Sequence, residues 1–411
     1  MASRYASLSR DQLAELVPEL LLIGQLIDRS GMAWCLSAFG REEMARIAVE
    51  EWASSSPVYT RRMQDALGYA PPAPGAGDVV TIFKGLQLDI GAPPQFMDFR
   101  YTVHDPWHGE FHLDHCGALM DVEPMGPDYV RSMCHDIEDP TFDATAAASH
   151  PRAQVRPIHR PPRVPADVTA DRRPHCAWTV IIDESHPEVA PIPALAEVAA
   201  SKAAVLSLDP IDPVGKGQAD YAGPLVSDVD FSAFSHSALV RIADEVCVQM
   251  HLLNLGFLMA VRARATSPEQ AAEIATKQLI GIAGVGAERI HDTLGTNPLE
   301  TLRLHPMFNP AAYVTASFDD SSVTVSGSAA HDDGGWITLC GPDSVRPLRA
   351  AVRAVDPHLD VEVVGTDTDW TATVVRRDEP APVCDEVAVT RVSTGVAFSF
   401  EPRRSLPITP V

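Results

Sequence analysis

The strongest constraint on this chain is that it contains the same pattern twice, so its architecture must be one that a single unit can build and then pair with itself. Residues 41–68 lie without gaps over residues 268–295, and nine of the 28 positions agree, among them Glu42/Glu269, Ile47/Ile274, Arg62/Arg289, Asp65/Asp292 and the closing Leu-Gly. Average residue usage gives roughly two such matches. Two later landmarks keep the same order. Gly126-Pro-Asp-Tyr-Val-Arg131 recurs as Gly341-Pro-Asp-Ser-Val-Arg346, and the β-branched run opened by Trp178-Thr recurs after Trp370-Thr.

Each copy opens with apolar residues at helical spacing, Leu13, Leu16, Leu20, Ile23 and Ile27 in one and Leu239, Ile242, Val246, Met250 and Leu253 in the other, which predicts two amphipathic helices at the start of each unit. Strands are expected near 98–103 and 110–119 with a turn at Pro106 and Gly109, then a short helix from Gly126-Pro127-Asp128, then a strand from Cys176 to Asp183, matched by 370–375 in the second copy. The expected fold is therefore α+β, an internal duplication of a unit with two N-terminal helices and a β-β-α-β layer, related by a pseudo-two-fold. The first copy spans 1–190, a Pro-, Asp- and Ala-rich linker spans 191–230, and the second copy spans 231–411. Residues 140–174 are expected to be an insertion with no counterpart.

A length of 411 residues is enough for two full hydrophobic cores. Acids outnumber bases 55 to 32, and a net charge of -23 argues against nucleic acid or an anionic membrane surface as partner. The apolar run from Val246 to Val261 is broken by Gln249, His251 and Asn254 and is too short to span a bilayer. No export signal is expected at the N-terminus. Seven scattered cysteines suit reduced thiols in the cytoplasm better than a disulfide framework.

Chemistry-bearing residues concentrate in the first copy. Four histidines, His104, His108, His112 and His115, fall within twelve residues, and Cys116 follows. Strand alternation predicts His112, Asp114 and Cys116 on one face, with Phe111, Leu113 and His115 on the other. The short helix adds Cys134-His135-Asp136, and the last strand begins His175-Cys176. Thiolate and imidazole together suit a divalent ion, zinc in preference to iron, and the expected metal set is Cys116, Cys134, Cys176, His115 and His112. Opposite Cys134, His135 and Asp136 the second copy has Arg349, Ala350 and Ala351, which marks it as the degenerate copy. In the 140–174 segment Arg152, Arg156, Arg160 and Arg163 stand close together; their planar forks suit an anionic substrate, and internal pairing with Glu138, Asp139 and Asp143 is the competing explanation.

The series Cys116, Cys134 with Asp136 two residues on, an Arg-bearing stretch and then Cys176-x-Trp-x-Val resembles the L-2-amino-thiazoline-4-carboxylic acid hydrolase family and the related vinyl-reductase-type small-molecule-binding domains, over about residues 10–185. The resemblance implies hydrolytic opening of a small carboxylate-bearing heterocycle or a related C–N or C–S bond. The expected roles are then metal polarisation of the substrate, His135 or Asp136 as general base, and Arg152, Arg156 and Arg160 on the substrate carboxylate. A Cys134 thiolate nucleophile is the metal-free form of the same idea. Two other classes compete: a small-molecule-binding or sensory module with structural zinc, and a non-haem iron oxygenase using two of the four histidines with Asp114. The expected assembly is a monomer with pseudo-dimer architecture, or a homodimer.

Overall fold

The computed structural model of the chain describes residues 2–162, 174–392 and 403–411. The first half runs α1 (Arg10–Phe39), α2 (Arg41–Ala66), α3 (Val79–Gln87), β1 (Met97–Asp105), β2 (His108–Cys116), α4 (Gly117–Val122), α5 (Pro127–Arg131), α6 (Glu138–Ala146), β3 (Ala153–His159) and β4 (Cys176–Ile182). After α7 (Pro193–Ala199) the second half repeats the order as α8 (His236–Arg262), α9 (Pro268–Leu294), α10 (Pro298–Leu304), β5 (Ala316–Phe318), β6 (Ser322–Val325), α11 (Ala329–Asp332), α12 (Arg346–Val355), β7 (Leu359–Gly365), β8 (Trp370–Arg376) and α13 (Asp385–Val392). Ser9 caps α1 in a capping box with Gln12, and Ser235 caps α8 in the corresponding place. The one-residue break between α1 and α2 is Gly40 at φ +81°, a conformation that side chains disfavour.

Both halves are α+β, and their antiparallel sheets have the same strand order, β1-β2-β4-β3 and β5-β6-β8-β7. The expected β-β-α-β layer therefore lacked a strand: the unit is β-β-α-β-β. Residues 140–174 are not an insertion without a counterpart, because they contain β3, whose equivalent is β7. Pro157 hid β3, since proline cannot donate to a ladder and is tolerated in a strand only at a sheet edge, and β3 occupies that edge. One face of the first sheet carries Phe99, Val103, Phe111, Leu113, Trp178 and Val180 into a buried core beneath α2, α3 and α6. The other face carries Thr102, His104, Glu110 and His112 toward solvent.

The helices do not stay within their own halves. α1 packs against α9, α2 packs against α8, and α1 crosses α8, the exchange that a pseudo-two-fold requires. One hydrophobic core accordingly runs from Leu13, Leu20 and Ile27 through Ile242, Val246 and Leu253 to Trp336 and Trp370. Matched ion pairs straddle the axis. Arg62 of α2 donates to Glu245 of α8 at 2.9 and 3.0 Å, and Arg289 of α9 donates to Glu19 of α1. The Glu245 side chain is 2% exposed and Glu19 is 19% exposed. Arg62→Met is expected to cost about 2–4 kcal/mol by leaving a buried carboxylate with Arg241 as its remaining partner, and Arg289→Met about 1 kcal/mol. Urea unfolding midpoints check the order, and a larger loss at Arg289 would contradict it. The segment expected as linker contributes α7, which packs against α2 and α8. Among the described residues no helix is long and apolar enough to cross a membrane.

Candidate functional site

Cys116, Cys134 and Cys176 all enter the core beneath the first sheet. Cys116 reaches it because Asp114 is the extra residue of a β-bulge opposite Asp98 and Phe99; alternation fails beyond a bulge, and Cys116 turns inward to cap α4 instead of staying with His112. Cys134 lies on a π-helical turn, Ser132–Ile137, between α5 and α6. Burial and the neighbouring Glu138 push the Cys116 thiol up to about 12, and the same causes, with the other two thiols, raise Cys134 further. These thiols are protonated at neutral pH. Among the described residues the three sulfurs do not form a group close enough to share an ion. His112 is on the outer sheet face, and His115, which pairs with Asp98 beyond the bulge, is buried with its ring 6.5 Å from that of His175. Neither joins the thiols, among the described residues, in a group close enough to share an ion, so the expected five-residue metal set is not brought together.

His135 points away from that core, with Nε2 2.9 Å from the Pro161 carbonyl, and Asp136 is exposed. The arginines are engaged internally. Arg152 pairs with Glu188, Arg156 with Asp143 at 2.8 Å, and Arg160 with Asp139 while stacking over Trp178. Arg163 lies outside the described residues.

A different constellation converges beside the thiols. Between α1, α2, the loop after α3 and α6 lies a cavity of about 80 Å³ whose polar wall is Asp28, Arg29, Asp89 and Glu138 and whose apolar wall includes Trp52, Phe99 and Phe142. That is room for several waters or one small molecule. The Phe142 ring stands 5.1 Å from Trp178 and 5.4 Å from Phe111, which fixes α6 on the sheet. Glu138, one turn beyond Cys134 on the far side of the π turn, is buried, and its Oε2 has no hydrogen-bond partner. Burial pushes its carboxyl up to about 8 against the pull of Arg160. Asp89 is pushed to about 6 by burial, although Tyr59 Oη donates to it at 2.9 Å and the Gly91 amide at 2.7 Å. Asp28 is raised by burial and opposed by Arg29 and the Trp52 indole, which donates at 3.2 Å. Arg29 is held 2.9 Å from Asp121, with its buried Nε unpartnered.

Behind Asp28 lies Glu51, fully buried, without hydrogen-bond partners for either oxygen, and held well above the usual carboxylate range by burial and by Asp28. Superposing the capped helices places Asn254 opposite Asp28 and Gln278 opposite Glu51. The second half thus has amides where the first has acids, and there Asn254 Nδ2 donates to Gln278 Oε1 at 3.1 Å. The exchange of Glu51 for Gln278 within the aligned repeat was the one signal in the sequence that could have pointed to this site.

A second group forms on the outer face of the β1–β2 hairpin. His104, His108 and Glu110 bring three ligand atoms within 4.8 Å of one another and could hold a metal ion. The His104 and His108 Nε2 atoms stand 3.3 and 4.0 Å from Glu110 Oε1. The register that pairs Asp105 with His108 and Thr102 with Glu110 makes the group, so the carboxylate beside these histidines is Glu110, whereas Asp114 lies further along β2 beside His112 and Arg100. Because Phe99 and Phe111 face the cavity side and Glu110 faces outward, the sheet separates this group from the acidic cavity. No family model, curated protein or solved structure matches this chain significantly.

Proposed function

We propose that the first half is a hydrolase that opens a C–N bond in a small molecule carrying both a carboxylate and a basic nitrogen, bound in the cavity between α1, α2 and α6. One observation carries this reading: Glu138 is a carboxyl group kept in its acid form at neutral pH, with an unpartnered oxygen, at the wall of a cavity. Such a group is a proton donor matched to a leaving nitrogen. Asp89, ionised above about pH 6, is the complementary base for the attacking water. The water's hydroxyl goes to carbon, its proton to Asp89, and the Glu138 proton to nitrogen. Arg29, with its free Nε, takes the role that Arg152, Arg156 and Arg160 were expected to play toward a carboxylate, and Trp52, Phe99 and Phe142 offer faces to a cationic or planar ring. The raised thiols of Cys116 and Cys134 make thiolate attack the weaker variant. The test is a panel of small zwitterionic heterocycles, including 2-amino-thiazoline-4-carboxylate, followed by mass spectrometry for gain of one water. Turnover by the native protein that persists undiminished in Glu138→Gln would remove the proposed acid.

A second reading concerns the hairpin. His104, His108 and Glu110 are a borderline donor set that leaves coordination positions open, and we assign it a divalent ion, zinc in preference to iron. Elemental analysis is expected to give one equivalent of zinc, lost in His108→Ala without loss of the fold. Iron together with oxygen consumption would replace this assignment with the oxygenase.

A further inference from the structure

The second half has a cavity of its own, about 180 Å³, along α12 and the segment leading into α13. Its charge is the reverse of the first. In the register set by Arg131/Arg346, Arg349 stands where the first half has Cys134 and Arg353 where it has Glu138. Arg346, Arg349 and Arg353 line the cavity from successive turns of α12, and Arg391 faces them from α13.

These guanidiniums are not fully neutralised. Arg349, Arg353 and Arg377 all donate to one carboxylate, Asp360, at 2.8–2.9 Å. Three cations on one anion leave two positive charges, in a chain whose net charge is -23. Arg346 is shared between Glu273 and Glu386, and Arg391 pairs with Glu288. The excess positive charge around Asp360 is shared by Arg349, Arg353 and Arg377, and of these Arg349 and Arg353 stand on the cavity wall. Glu386, held by Arg346, and Cys384 also line the cavity, and the remaining wall is apolar, including Ile280, Pro357 and Val387. Planar forks around an apolar pocket are the donor geometry for an oxyanion attached to a small organic body.

We propose that this cavity is a binding site for a small multivalent oxyanion, a polycarboxylate or a phosphorylated molecule, with Arg349 and Arg353 as its principal ligands. The second half is then a ligand-binding copy in its own right, independent of the chemistry assigned to Glu138. The site carries a built-in reporter. Cys384 lines the cavity and is exposed, whereas the other six cysteines are buried.

The experiment follows alkylation of Cys384 in the full chain by iodoacetamide at mildly alkaline pH, with inorganic phosphate or citrate as probe and sodium chloride at equal ionic strength as control. Saturable slowing is expected, about tenfold when the probe is about ten times its dissociation constant, and it should weaken strongly in Arg353→Gln. Arg349→Gln provides a second variant should the first fail to fold. Protection by phosphate alone identifies a phosphoryl ligand, and protection by citrate alone a carboxylate ligand. The proposal is overturned if neither probe protects better than chloride, or if protection is unchanged in the folded variants.

Discussion

Glu138→Gln is expected to lower turnover by about 10²–10⁴-fold and at the same time to make the protein more stable in alkaline solution. A glutamine keeps the shape of the side chain and removes its ionisation. In the native chain the Glu138 carboxyl titrates near 8 instead of near 4.5, because burial disfavours the charged form. The folded state therefore holds a proton that the unfolded state releases. The stability this group contributes is fully present below about pH 4.5 and is lost as the pH rises to about 8. The full loss is roughly 5 kcal/mol. Asp89, raised to about 6 by burial, adds loss of the same sign at lower pH in both proteins, so the difference between native and variant isolates Glu138. Chemical unfolding at pH 5 and pH 9 reads it directly. Parallel pH profiles would show that Glu138 ionises normally, and the acid role would fail with it.

The second large effect concerns the helices that the repeat brings together. α8 crosses α2 where Gly256 meets Ser54, and a Cβ on Gly256 would stand 2.4 Å from Ser54 Oγ and 2.9 Å from the Glu51 carbonyl oxygen. The related crossing of α9 on α1 has the residues exchanged: a Cβ on Gly281 would stand 2.4 Å from Ser30 Oγ. Two small residues per crossing let the backbones approach closely, and neither helix can retreat without opening the shared core. Gly256→Val is expected to cost about 3 kcal/mol or more, read as a fall in the urea midpoint. Gly256→Ala combined with Ser54→Gly should recover part of the loss suffered by Gly256→Ala alone, since the clash with Oγ is removed and that with the carbonyl remains. Native stability in Gly256→Val would mean that the halves are not joined in this way.

Much of the fold was legible because it rests on local periodicities. The 3.6-residue apolar stripes marked α1 and α8, and the recurrence of Arg62 as Arg289 marked a duplication whose two ion pairs lie across the pseudo-two-fold. Alternation along β2 separated Phe111 and Leu113 from His112 and Asp114 correctly. It failed at Cys116, where a bulge shifts the side-chain phase, and β3 was missed because Pro157 is admissible only at an edge, a position that a sequence does not display.

The site was less legible, for a physical reason. Cysteine and histidine attract attention by chemical type, whereas a carboxyl group becomes an acid catalyst only through its surroundings. Asp28, Asp89 and Glu138 are ordinary residues far apart along the chain. The packing of α1, the loop after α3 and α6 against one sheet makes them a single buried group. The amino-acid order by itself determined the duplication, the helical and strand faces and the concentration of histidines on one hairpin. Tertiary structure alone decided which carboxyls lose their water, which imidazoles meet Glu110 and which arginines crowd one aspartate, because desolvation and Coulomb forces depend on distance in space and not on spacing along the chain.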